Sequence, residues 1–189
     1  MATANGVQAT KVVTDRVRLS YVHVFEAFSH NPDQEAKFSV VLLIPKTDKK
    51  TIRAIRAAQQ VALQQGEAGV FKGKIPKDWA DTVRDGDDED TLEKNPEYEG
   101  CWYMSVGSRT RPNVVDQDVN PILDSTQVYS GCYARVSMNA FPYSYSGKKG
   151  VSFGLNHVQK LADGEAFGGR SRAEDDFDVV EVDDDDDVI

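Results

Sequence analysis

The sequence predicts a mainly β domain with one substantial helix, followed by a detached acidic tail. Three observations carry this. Five stretches are β-branched or alternate apolar with polar residues, and a single stretch places apolar residues at helical spacing. The last sixteen residues, Glu174 to Ile189, hold ten acids and no base, a composition too charged to bury a core.

The first ten residues are small and polar and read as a flexible N-terminus. Between Arg16 and Phe25 the odd positions Val17, Leu19, Tyr21, His23 and Phe25 are apolar or aromatic. Val22 and Val24 break the alternation, which predicts a strand partly covered on both faces. Asn31-Pro32-Asp33 signals a turn, and Phe38 to Ile44, ended by Pro45, returns as the next strand of a meander. Thr47 or Asp48 caps a helix over about residues 47–65. Its buried face carries Ile52, Ile55, Ala58 and Ala62, and Gly66 stands just beyond its end. Lys49, Lys50, Arg53 and Arg56 fall on the opposite side, as expected of a solvated helix face.

From Val70 to Gly100 periodicity is lost. Asp85 to Asp90 is dense enough in charge to predict an exposed, mobile insertion spanning about 78–99, and it lacks the ligand register of an EF-hand calcium loop. Strands resume at Cys101 to Gly107, with Trp102, Met104 and Val106 on one face and Tyr103 and Ser105 on the other. Cys132 to Ala140 turns Cys132, Ala134, Val136, Met138 and Ala140 inward and Tyr133, Arg135, Ser137 and Asn139 outward. Gly147-Lys148-Lys149-Gly150 is then a hairpin tip, and Val151, Phe153 and Leu155 point inward from the return strand. Pro142 is placed to insert a bulge that would change the parity beyond it.

A chain of 189 residues accommodates one domain with a real core, here residues 11–170, between the flexible start and a disordered acidic tail at 171–189. No apolar run approaches the ~20 residues of a membrane span. The N-terminus has no basic-then-apolar signal, so a cytoplasmic location and reduced Cys101 and Cys132 are expected. Their spacing fits no zinc motif, with His23, His30 and His157 scattered elsewhere, and no cofactor is predicted.

The net charge of −9 is hostile to nucleic acid only until the charges are mapped. Without the tail the chain carries +1. The block from Asp78 to Glu99 has ten acids against Arg84 and Lys94, so the remaining body carries +9. A basic body beneath an acidic average is the footprint of a nucleic-acid binder.

Motifs for catalysis are missing: there is no phosphate loop, no nucleophile elbow and no His-Glu-x-x-His, so no catalytic residue is predicted. Binding residues are another matter. The outward parity of Tyr133 and Arg135 continues through Phe141, Tyr143 and Tyr145 to Lys148 and Lys149. Aromatic rings stack on any base while lysine and arginine neutralise phosphates, so this interleaving predicts sequence-independent binding of single strands. Tyr103, Arg109 and Arg111 extend the candidate path. Gly168-Gly-Arg-Ser-Arg172 is equally well a linker.

Three segments, Tyr133–Tyr145, Gly150–Leu161 and Asp163–Gly169, occur in an order that resembles a family of bacteriophage single-stranded DNA-binding replication proteins. The resemblance covers most of residues 10–170. It implies an OB-fold-like five-stranded barrel and a role in coating and protecting single strands in replication and recombination. It also implies that the tail recruits replication or recombination proteins, and the charge map, ten acids against a +9 body, makes the tail a candidate competitor for the DNA site. Here Asp183, Asp184, Asp185, Asp186 and Asp187 precede Val188 and Ile189, without the terminal aromatic that would complete the hook. The competing expectations are an acidic DNA mimic and a carboxylate-dependent nuclease. Self-association is left open.

Overall fold

A computed structural model describes residues 9–168. The expectations for the tail and for Gly169 to Arg172 lie outside the described residues. Among the described residues there are nine strands: β1 Lys11–Val13, β2 Val17–Phe28, β3 Lys37–Pro45, β4 Ala80–Asp81, β5 Arg84–Asp85, β6 Cys101–Ser108, β7 Asn113–Val115, β8 Tyr133–Tyr145 and β9 Lys148–Ala162. The helices are α1, Lys49–Gly66, and the short α2, Glu89–Lys94.

The five long strands pair in the order β8-β2-β3-β6-β9, and β9 pairs back to β8, closing a ring. Counted along the chain this is 1-2-3-5-4-1, the closed order expected of an OB-fold. Its one parallel junction, β6 with β9, splits at the lower end, where β5 pairs with β6 and β4 with β9. β1 and the start of β2 run as one bent edge along β8. At the bend, Thr14 is fully buried; its N–H donates to the Val136 carbonyl and its Oγ1 accepts from Val136 N–H, both at 3.0 Å.

The inward parity read for β6, β8 and β9 holds, with Met104, Val106, Ala134, Val136, Met138, Phe153 and Leu155 all buried. α1 packs on β8, and its buried face carries Ile55, Ala58, Ala62 and Leu63. Fully burying Ile55 and Leu63 stabilises by about 1.5–3 kcal/mol each. Asp48 is the N-cap, accepting from Thr51 N–H at 3.1 Å. Buried Gln59 is satisfied by Arg56 and by Asp81 of β4, which ties the helix to that strand.

Several expectations need correction. The broken alternation of β2 is a bulge: its pairing with β3 slips between Ser20 and His23 and again before Phe28, and Tyr21 sits at φ 45°. Inward residues therefore change from odd, Leu19, to even, Val24. Gly66 is the last residue of α1 and no positive-φ cap. It is required because a Cβ there would lie 2.7 Å from both Phe71 and Pro142. Pro142 itself causes no bulge; pairing with β9 runs unbroken from Met138 to Tyr145, and the slips lie at Tyr133/Ala134 and Ser137/Met138. The hairpin tip is Ser146-Gly147, at φ 49° and 77°, the positive pair that a type I′ turn demands. Lys148 to Gly150 already belong to β9.

The acidic insertion is built, not loose. Lys46 Nζ bridges Asp85 and Asp87 at 2.6 Å, and Asp87 accepts the Gly100 N–H at 2.7 Å. Buried Tyr98 donates its hydroxyl to Ser20 at 3.1 Å. At the N-terminal end, Thr10 is also buried, so residue 10 belongs to the folded part.

Candidate nucleic-acid interface

A single row of residues crosses all five ring strands. His23 pairs with Ser39, Ser39 with Gly107, Gly107 with Gly154, and Gly154 with Asn139. Each has an inward, buried neighbour in its strand (Val24, Val40, Val106, Phe153, Met138), so the row lies on the outer face. At about 4.8 Å per strand it runs about 19 Å around the ring. Its centre is two glycines, with Ser105 and Ser152 beside them, and this small-residue floor lets a polymer approach the sheet backbone.

Aromatic side chains stand at both ends of the floor. Phe141, 45% exposed, reaches toward Gly154: a Cβ there would lie 3.9 Å from the ring. Tyr145 is 78% exposed at the β8–β9 tip, with Lys148 exposed and Lys149 half-buried beside it. At the opposite end His23 stacks on exposed Phe28 at 4.4 Å and 10°, and Phe28 meets His30 edge-on at 4.8 Å. Burial and, second, the charge of His30 hold the His23 imidazole below its ordinary pKa.

The cations of the β6 exit lie near the β2–β3 hairpin. Arg109 Nε is 3.2 Å from Glu35, with both side chains mostly exposed, a pair weak enough for a phosphate to replace. Arg111 faces Phe25. The acidic segment forms a wall over the lower part of the face. Tyr98 lies 5.1 Å from Tyr103, and the Tyr21 hydroxyl donates to Asn95. In that wall the hydrogen bond from Lys46 is the first cause holding the Asp85 carboxyl below its ordinary pKa; for Asp87 it is the Gly100 N–H.

The predicted residues thus divide. Tyr145, Lys148 and Lys149 share the tip, Phe141 stands inside the strand pair beside Gly154, and Tyr143 leans toward Gly150 and β4. Arg109 and Arg111 sit at the far rim, and Tyr103 lies beneath the acidic wall. Tyr133 and Arg135 are at the other end of β8. Tyr133 lies against Gly164 with the Arg16 guanidinium 4.1 Å over its ring, and Arg135 Nε donates to the Thr14 carbonyl. Sequence reasoning missed His23, Phe28 and the glycine floor. Glycines inside two strands were the available signal.

Among the described residues no group of three or more His, Cys, Asp or Glu is placed to hold a metal ion, and no helix is long and apolar enough to cross a membrane. Burial pushes the thiols of Cys101 and Cys132 above their ordinary pKa.

Residues 10–189 match the family model described as Enterobacter phage Enc34, ssDNA-binding protein. The chain belongs to this family. The Enc34 single-stranded DNA-binding protein solved in complex with ssDNA is similar to it with a TM-score of 0.74 and 24% identity, over 85% of this chain and 91% of that one. The crystal structure of gp2.5, a single-stranded DNA binding protein encoded by bacteriophage T7, aligns with a TM-score of 0.61 and 15% identity, over 95% and 98% of the two chains. These two likenesses establish the fold. A putative protein p50 of Acyrthosiphon pisum secondary endosymbiont phage 1 is 27% identical over 186 residues, 95% of this chain and 98% of that protein. Membership of the Enc34 family agrees with the class that the aromatic and basic strand predicted.

Proposed function

We propose that a single DNA strand crosses the outer face along the row from His23 to Asn139. The observation that carries this is the pair Gly107 and Gly154, a side-chain-free floor between exposed aromatics. Bases stack on Phe141, Tyr145 and Phe28, and Lys148, Lys149, Arg109 and Arg111 contact phosphates. Three stacks supply about 3–9 kcal/mol without reading sequence, because every base has a π-face. Tyr103 flanks the path below, Tyr143 supports the tip, and Tyr133 and Arg135 are reached only by a strand long enough to follow β8.

The role is binding, not catalysis: coating and protecting exposed strands during phage replication and recombination, in the cytoplasm of the host. The tail, Glu174 to Ile189, competes with DNA for the basic body and offers Val188 and Ile189 to replication proteins. The test is an anisotropy titration with labelled oligo-dT at several salt concentrations, with and without residues 174–189. Binding that weakens with salt and tightens on tail deletion is the expected result. Absence of binding at low salt overturns the reading.

A further inference from the structure

Beyond Arg109 the chain leaves the sheet and turns through Arg111 into β7. There an open cleft of about 530 Å³ lies between Phe25 of β2 and the β7 segment, with Asn113, Ile122 and Leu123 among its walls. The cleft continues the proposed path, since Phe25 is two residues from His23 and Arg111 four from Gly107, the row's own members. The Arg111 Cζ stands 6.0 Å from the centroid of the Phe25 ring, the outer limit of a cation–π contact. The guanidinium and the ring thus face each other only at the limit of contact, at the wall of an open cleft that a planar base can enter. Leu123, 84% exposed, gives the site an uncovered apolar lip, and the exposed Asn113 carboxamide can donate to and accept from a base edge.

We propose that Phe25 and Arg111 form a clamp that takes one base at the end of the bound single strand. The proposal rests on the row being the DNA path, and it makes Arg111 a stacking partner as well as a phosphate contact. Asn113 gives this one position a base preference that the glycine floor lacks.

The experiment uses the full chain and short oligo-dT in which one 2-aminopurine is moved along the strand. One position near an end should be quenched on binding, and Arg111→Gln and Phe25→Leu should each remove that quench. Affinity should fall about five- to tenfold in either variant, the scale of one lost stack. Arg111 is exposed, so Arg111→Gln decides the matter even if Phe25→Leu disturbs the fold. A quench that persists at that position in Arg111→Gln, with binding intact, overturns the clamp and leaves the path standing. If the unmodified chain binds no strand, the path fails and the clamp fails with it.

Discussion

Gly107 and Gly154 are partners across the parallel junction of β6 and β9, and no side chain rises from the sheet at either position. At Gly154 a Cβ would meet only Asn139 and Phe141, both at 3.9 Å, and the backbone is not in the positive-φ region. Gly154→Leu should therefore fold, with stability changed by no more than about 1 kcal/mol, since interior strand glycines are not favoured in themselves. The added side chain fills the floor, and affinity for oligo-dT should drop at least about tenfold. Thermal melting and anisotropy on the same preparation separate the two effects; unchanged affinity would remove the floor from the site.

Phe141 and Tyr133 lie on the same face of β8 by sequence parity and should behave differently. Phe141→Ala removes an exposed ring, leaves stability nearly unchanged and should weaken binding by about 1–3 kcal/mol. Tyr133→Ala removes a ring packed under Gly164 and Arg16, so it should cost about 1–3 kcal/mol of stability with a smaller effect on short oligonucleotides. A denaturant titration beside the binding curve reads both.

Lys148 and Lys149 at the β8–β9 tip should appear in the salt dependence. For single strands each phosphate contact contributes about −0.7 to the slope of log K against log salt, so Lys148→Ala with Lys149→Ala should reduce its steepness by about 1.4. An unaltered slope would place the phosphates elsewhere.

His23 gives the site a pH signature. Its pKa in the free protein is lowered, first by burial. Phosphates beside it favour the charged form, so binding takes up a proton and affinity should rise as pH falls toward the lowered value. Stability runs the other way: the unfolded chain holds this proton more readily, so the contribution is complete above about 6.5 and declines as pH falls through the lowered folded value. His23→Gln should flatten both trends, measured at constant ionic strength between about pH 5.5 and 7.5.

Much of the ring was legible because strand parity is local. Cys132 to Ala140 alternates cleanly, and the alternation carries Phe141 and Tyr145 to the outer face without interruption at Pro142. The floor was not legible, since it depends on register: nothing in the sequence says that Gly107 of β6 will face Gly154 of β9. Nor could composition show that the acidic block is anchored, because its anchors are distant in the chain, Lys46 to Asp85 and Tyr98 to Ser20. The β2 bulge lies between these cases. Val22 and Val24 announced an irregularity, and only the slip in pairing with β3 shows that it leaves Ser20 buried against Tyr98 and Tyr21 exposed.

The path across the outer face is tested most directly by photocrosslinking. Oligo-dT carrying 5-iodouracil, bound to the full chain and irradiated, labels the aromatic side chains on which its bases stack. Mass spectrometry should find the adducts on Phe141, Tyr145 and Phe28, from both ends of the glycine floor. Adducts confined to Tyr133 and Tyr129, with Phe141 and Phe28 unlabelled, would contradict the account.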